Sequence, residues 1–263
     1  MTRILAIVNQ KGGVGKTTTA VNLATAMAAV GKRVLLLDLD PQGNASTGFG
    51  FSNKQRDLTS YDLLVGTATI ERAALATKVP NLALIPTTMD LAGAELELVN
   101  EKQRDTRLKN ALRNGLDNYD YVLIDCPPSL GLLTLNALVA ADSVLIPLQC
   151  EFYALEGLSH LLKTIELVQT RLNPDLDIQG IVLTMYDRRN KLTEQIESDV
   201  REFLADLVYE TTIPRNVRIS EAPSHGKPAL LYDLNCTGSR AYVKLASEVL
   251  KREKNLPPNK NAA

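Results

Sequence analysis

One glycine-rich segment near the start of the chain constrains the fold more than any other part of the sequence. It follows an apolar run at residues 4–8 and precedes an apolar segment with helical spacing at residues 20–30. It reads Lys11-Gly12-Gly13-Val14-Gly15-Lys16-Thr17-Thr18. The first amide groups of a helix have no partner within the helix, and glycine lets the backbone approach an anion closely. The pattern therefore predicts a phosphate-binding loop, in which Lys16 reaches the β- and γ-phosphates of a nucleotide and Thr17 holds Mg²⁺.

Length and composition favour one globular domain. The chain has 263 residues, of which 45% are hydrophobic and 22% charged, and α/β proteins of this length usually form a single domain. We expect that domain to span residues 1–254, and a disordered polar tail to occupy residues 255–263. No apolar run approaches the ~20 residues that span a bilayer, and no signal-peptide pattern is present. These observations predict a cytoplasmic protein. Its three widely spaced cysteines, with no C-x-x-C pair, indicate reduced thiols.

The net charge of −1 hides a basic end. From residue 211 onward the chain has nine Lys and Arg against four acidic residues, an excess of five, so the remainder carries −6. A basic end on an acidic body permits contact with a polyanion.

Strand-like and helix-like segments alternate along the chain. Strands are predicted at residues 4–8, 34–40, 82–86, 121–125, 144–148, 178–184 and 208–213. Helices are predicted at residues 20–30, 59–64, 89–116, 132–140, 154–171, 191–207 and 238–254. Repeated strand–helix units predict an α/β fold, a doubly wound and mainly parallel sheet with helices on both faces.

Three carboxylates follow predicted strands. Asp38 and Asp40 end the second strand, and Asp125 ends the strand at residues 121–125. Ligands of open α/β sheets bind at the carboxyl ends of the strands, and acids beside a bound triphosphate are tolerated where Mg²⁺ intervenes or a water must be oriented. Asp125 is therefore expected to bind Mg²⁺ through water, beside Thr17.

The phosphate loop departs from the ordinary P-loop pattern, because Gln10 stands where a glycine is expected and Lys11 opens the loop. This deviant Walker A pattern resembles the superfamily of ParA partition ATPases, MinD cell-division ATPases and the nitrogenase iron protein. Three further motifs are similar to those of the chromosomal ParA/Soj family, and the match covers about residues 1–250. They are Leu37-Asp38-Leu39-Asp40-Pro41-Gln42-Gly43-Asn44, Leu123-Ile124-Asp125-Cys126-Pro127-Pro128-Ser129-Leu130-Gly131 and the segment from Ile213 to Pro228.

The resemblance implies an ATPase that uses Mg²⁺ and forms an ATP-dependent homodimer. In such a dimer Lys11 would touch the partner's phosphates, and Asp40 would orient the attacking water. The catalytic residues would then be Lys11, Lys16 and Asp40. Nucleotide-binding residues would be Lys11, Gly12, Gly13, Val14, Gly15, Lys16, Thr17, Thr18, Met185 and Pro214, the last two beside the adenine.

The family also implies partners. Arg188, Arg189, Arg215 and Arg218 resemble its basic residues for binding double-stranded DNA without sequence preference, and a ParB-type centromere-binding protein would stimulate hydrolysis. The expected location is cytoplasmic and nucleoid-associated, with a chromosome or a plasmid as cargo. A MinD-like, membrane-associated positioning ATPase is the first alternative, although the C-terminal amphipathic helix of that class is missing. A metabolic or metallocluster-handling member of the superfamily is the second.

Overall fold

A computed structural model of the protein describes residues 2–254, and the predicted tail at 255–263 lies outside the described residues. The described residues form one seven-stranded sheet. Its strands are β1 (Arg3–Ile7), β2 (Val34–Asp38), β3 (Leu75–Ala76), β4 (Leu82–Ile85), β5 (Tyr121–Asp125), β6 (Ser143–Gln149) and β7 (Asp177–Thr184). They lie in the order β3-β4-β2-β5-β1-β6-β7, and every pair is parallel except β3 with β4. The predicted doubly wound α/β fold is confirmed.

Helices connect these strands. They are α1 (Lys16–Ala29), α2 (Asn44–Gly48), α3 (Ser60–Val65), α4 (Ile70–Ala73), α5 (Leu91–Glu97), α6 (Arg107–Ala111), α7 (Leu132–Ala140), α8 (Ala154–Arg171), α9 (Lys191–Leu204), α10 (Val217–Glu221), α11 (Ala229–Tyr232) and α12 (Thr237–Lys254). Short 3-10 turns occupy Asn53–Gln55, Leu98–Asn100, Ala205–Leu207 and Ala222–His225. Within residues 2–254, no helix combines the length and apolar character that crossing a bilayer requires.

Both faces of the sheet are buried, which explains why its central strands read as continuous apolar runs. Successive strand residues point to opposite faces, so Leu35 and Leu37 pack with α3, α5, α7 and α8, whereas Leu36 packs with α1 and α12. Two helical layers therefore hold the sheet rigid, and the carboxyl ends of β1, β2 and β5 meet at one edge.

Two predicted elements are wrong in detail. The helix expected at residues 89–116 is divided into α5 and α6, because Gln103 adopts a left-handed conformation (φ 60°) between them. The buried side chain of Asn136 holds this break, since its amide donates to the carbonyl of Arg104 (2.8 Å) and its oxygen accepts from the amide of Leu108 (3.0 Å).

The strand expected at residues 208–213 is also absent from the described structure, where Val208 makes only an isolated bridge to Ile181. The amides of Glu210 and Thr211 donate instead to the carboxylate of Glu248, at 2.8 and 3.1 Å. Amides that donate to a side chain are not available to a neighbouring strand, so regular strand pairing stops at these two residues.

Candidate functional site

The phosphate loop is the turn between β1 and α1. Gly15 forms the N-cap of α1 with φ 88°, a left-handed conformation that glycine adopts without steric cost. The side chain of Asn9 fixes the start of the loop, because its amide donates to the carbonyl of Pro147 (2.7 Å) and its oxygen accepts from the amide of Lys11 (2.9 Å). On the other side, the hydroxyl of Thr184 donates to the carbonyl of Val14 (2.8 Å). The loop is therefore held in place from both β6 and β7.

Lys16 lies under this loop rather than in solvent. Only 6% of the residue is exposed, and its Nζ donates to the carbonyl of Lys11 at 3.0 Å. Burial lowers the pKa of Lys16, and the negative charge of Asp125 opposes that shift. A buried cation beside unpartnered helix amides is suited to bind a phosphate.

Asp125 is the least satisfied acid of the site. The residue is fully buried, and neither carboxylate oxygen has a hydrogen-bond partner among the residues that the structure describes. Burial raises its pKa well above the ordinary value, the neighbouring Asp38 raises it further, and Thr17 and Lys16 act in the opposite direction. A buried, unpartnered carboxylate is costly unless a cation pairs with it. Its oxygens and the hydroxyl of Thr17 are hard donors that fit Mg²⁺.

Asp38 has a different role, which the sequence did not indicate. It lies opposite Asp125 in the sheet register, and its Oδ2 accepts from the amide (2.8 Å) and the hydroxyl (2.6 Å) of Ser46. Burial raises the pKa of Asp38 to about 6, although these hydrogen bonds lower it. Asp38 thus attaches α2 to the end of β2.

Asp40 follows β2 at the start of the turn into α2. It is 6% exposed, and its Oδ1 accepts from the amide of Gln42 at 3.0 Å. Asp38, two residues before Asp40, holds α2 through Ser46. The turn that carries Asp40 is therefore restrained at both of its ends.

Arg56 supports the same turn, although the sequence showed only a polar stretch there. It is 7% exposed and donates to the carbonyl of Thr87 (2.9 Å), the hydroxyl of Thr47 (2.9 Å) and the carbonyl of Phe51 (2.7 Å). A Cβ on Gly43 would lie 2.4 Å from Nη1 of Arg56, so only glycine fits there without displacing this side chain. Contacts such as the one between Arg56 and Thr87, 31 residues apart in the chain, produce no local sequence pattern.

Lys11 is held by an acid from the turn between β6 and α8. Its Nζ lies 2.5 Å from Oε2 of Glu151, with each side chain about two-fifths exposed. The neighbouring Phe152 and Tyr153 are 77% and 64% exposed. The surface beside the phosphate loop therefore combines an ion pair with two exposed aromatic rings.

Met185 and Pro214, the two residues expected beside the adenine, lie next to the phosphate loop. Both line a cavity of about 340 Å³ together with Gly15 and Thr18. Met185 has a φ of 49°, which is unusual for a residue with a long side chain and marks a locally constrained backbone. The cavity therefore borders the phosphate loop at Gly15 and the first turn of α1 at Thr18.

The four predicted DNA-binding arginines are all exposed: Arg188 and Arg189 follow β7, whereas Arg215 and Arg218 lie just after Pro214. An isolated bridge joins Tyr186 to Pro214, and this bridge brings the two arginine-bearing segments together. Arg189 makes two hydrogen bonds to Asp187, at 2.9 and 2.8 Å, and these lower the pKa of Asp187 to about 2. Arg218 pairs with Glu221 at 3.0 Å and Asp233 at 3.6 Å. Two of the four guanidinium groups are thus already paired with carboxylates.

Comparisons with known proteins agree with this geometry. Residues 2–178 match the protein family described as AAA domain. The chain is 61% identical over 255 residues to the chromosome partitioning protein ParA of Caulobacter vibrioides (strain NA1000 / CB15N), covering 96% of each chain. It is 57% identical over 249 residues to the sporulation initiation inhibitor protein Soj of Bacillus subtilis (strain 168), covering 95% of this chain and 98% of that one. A solved structure described as cobyrinic acid a,c-diamide synthase from Mycobacterium smegmatis, with bound ATP analogue and magnesium, has a TM-score of 0.82 and 38% identity, covering 97% and 96% of the two chains.

Proposed function

Because this chain belongs to the ParA/Soj family of chromosome-partitioning ATPases, we propose that it is an ATP-driven switch that binds DNA. In this proposal the chain hydrolyses ATP with Mg²⁺, dimerises on ATP, and binds double-stranded DNA without sequence preference as a dimer. A ParB-type centromere-binding protein stimulates hydrolysis, and the chain resides in the cytoplasm on the nucleoid.

The single observation that carries the nucleotide part is the buried carboxylate of Asp125 beside Thr17 and Lys16, whose oxygens lack a hydrogen-bond partner within residues 2–254. Thr17 and, through water, Asp125 would hold Mg²⁺, which when bound neutralises charge on the phosphates. Lys16 would exchange the carbonyl of Lys11 for phosphate oxygens. The loop amides would bind the remaining oxygens.

Asp40 is assigned the orientation of the attacking water. Its position at the carboxyl end of β2 supports this assignment, since Asp38 and α2 restrain the turn that carries it. Phosphoryl transfer depends mainly on positioning and charge neutralisation, so a carboxylate that orients the water suffices without acting as a strong base.

Lys11 is assigned to the phosphates of the partner protomer. To reach them it must leave Glu151, and the ion pair is half-exposed, a setting in which such pairs contribute little. For Lys11, exchanging the carboxylate of Glu151 for a triphosphate is therefore favourable, because the triphosphate carries more negative charge than one carboxylate.

The test is co-sedimentation of the protein with DNA of arbitrary sequence in the presence of ATP, ADP or no nucleotide. We expect retention with ATP and little retention in the other two conditions. Retention that is equal in all three conditions, or absent from all, would overturn the proposal that nucleotide controls DNA binding. Pelleting with liposomes in ATP, without DNA retention, would favour the MinD-like alternative.

A further inference from the structure

A wide groove lies beside the predicted arginines, between the end of β7, the segment at 210–214 and the start of α12. It encloses about 600 Å³. Its lining residues are Tyr186, Arg188, Glu210, Thr211, Thr212, Pro214, Thr237, Arg240, Ala241 and Lys244. Three cations and one acid give this lining a net charge of +2. We call it the basic groove.

The cations of the basic groove are outside close ion pairs in the described part of the chain, although the charge of Arg188 acts on the carboxyl of nearby Glu197. Arg188, Arg240 and Lys244 are exposed, and none of them makes an ion pair within residues 2–254. This sets them apart from Arg189 and Arg218, whose guanidinium groups are held by carboxylates.

Glu248 is the acid best placed to neutralise Lys244, because it lies four residues further along α12. Its two oxygens are instead used by the amides of Glu210 and Thr211, at 2.8 and 3.1 Å, and it lies 3.8 Å from Arg252. The contact that disrupts the predicted strand at 208–213 thus also takes the carboxylate of Glu248 away from Lys244, which makes no ion pair within residues 2–254.

The spacing of the two new cations suits a chain of phosphates. Arg240 and Lys244 lie about 6 Å apart along the axis of α12. Phosphates of one DNA strand follow each other every 3.4 Å or so along the duplex. Long side chains at this spacing can contact separate phosphates of one strand, and the threonine hydroxyls of the groove can donate to the same oxygens.

We propose that the basic groove is a phosphate-backbone site for DNA, in which Arg240 and Lys244 of α12 act together with Arg188. This inference rests on the proposed function. It adds two residues of α12, Arg240 and Lys244, to the DNA-binding residues predicted from the sequence. The surface would then extend from Arg215 and Arg188 along the first two turns of that helix. Binding through phosphates alone carries no sequence preference.

The experiment measures affinity for duplex DNA by fluorescence anisotropy, with a non-hydrolysable ATP analogue, over a series of salt concentrations. Neutralisation by Arg240→Gln or Lys244→Gln removes one phosphate contact per protomer. The slope of log K against log salt should then fall by about 0.9 per protomer. Charge reversal in Arg240→Glu/Lys244→Glu should lower affinity at least tenfold at about 0.1 M salt. Two unrelated DNA sequences should respond equally.

Controls separate charge from folding. Lys244→Arg and Arg240→Lys retain the charge and should retain the salt slope, whereas Lys163→Gln removes an exposed lysine of α8, outside the groove, and should change nothing. ATP binding and the unfolding temperature report on the fold of each variant.

The outcomes distinguish the two proposals. If the unaltered protein binds DNA and the two glutamine variants keep its affinity and slope, the groove is not the site, although the proposed function stands. If the unaltered protein does not bind DNA with any nucleotide, both proposals fail. Binding of the unaltered protein to vesicles of anionic phospholipid, without binding to DNA, would assign the groove to a membrane surface and overturn the inference.

Discussion

The phosphate loop and the basic groove hold their charges in opposite ways. At the loop, Lys16 is 6% exposed and Asp125 is fully buried, whereas Arg240 and Lys244 are exposed. Buried charges interact strongly with a ligand because little solvent screens them, and exposed charges interact weakly and in a salt-dependent way. A single substitution should therefore abolish function at the loop but only reduce it around the groove.

The largest effect is expected for Lys16→Ala. The substitution removes the buried cation of the phosphate loop, and ATP affinity should fall by about 100-fold or more, as for the loss of a strong charged contact. Isothermal titration calorimetry measures this affinity. Lys54→Ala, at an exposed lysine, should leave it unchanged. Normal ATP affinity in the Lys16 variant would refute the assignment of the phosphate loop.

Asp40→Ala should separate hydrolysis from binding. ATP affinity should stay within a few-fold, because the proposed role of Asp40 is to orient water rather than nucleotide, while turnover should fall by about 10²-fold or more. Phosphate release measures turnover, and gel filtration with ATP should show a dimer that persists. Asp57→Ala, at an exposed acid of the same loop region, is the matched control. Unchanged turnover in the Asp40 variant would contradict the role of this residue.

The sequence was sufficient where one local signal determines the structure. The phosphate loop, the central strands and the acids at their ends each follow from an apolar run next to a short motif, and the strand order then brings Asp38 and Asp125 side by side. The cap of α3 is local too, since the carboxylate of Asp62 accepts from the amide of Thr59 three residues earlier (2.9 Å).

What the sequence did not predict depends on contacts between distant residues. Strand β3 has only two residues, Leu75 and Ala76, which is too short for a periodic pattern. Arg56 and Asp38 organise α2 through partners such as Ser46 and Thr87. The basic groove keeps its positive charge because the carboxylate of Glu248 accepts hydrogen bonds from backbone amides of another segment. The residues next to Glu248 in the sequence do not predict that contact.

Asp125→Asn should change stability and activity in opposite directions. The amide keeps the shape of the side chain and removes a buried carboxylate, whose charged form is disfavoured because burial raises its pKa. The nucleotide-free protein in EDTA should therefore become more stable by about 1 kcal/mol. Turnover with Mg²⁺ should fall by roughly tenfold or more, since the carboxylate that we propose holds the metal through water is lost.

Thermal unfolding and phosphate release are the two measurements, and Asp117→Asn, at an exposed acid, should alter neither. A less stable nucleotide-free protein would show that favourable interactions of the Asp125 carboxylate outweigh the cost of burying its charge. The contrast between buried and exposed charge would then disappear.

The smallest effect is expected for Arg189→Gln. The guanidinium is fully exposed and bonded to Asp187, so a phosphate must displace that acid, and the net gain from the exchange is small. DNA affinity should fall only a few-fold, and the salt slope by less than the ~0.9 per protomer expected for a free cation of the groove. The unfolding temperature should not change. Anisotropy titrations beside Arg240→Gln give the comparison, and a larger loss for Arg189→Gln would move the main phosphate contacts from α12 to the loop that follows β7.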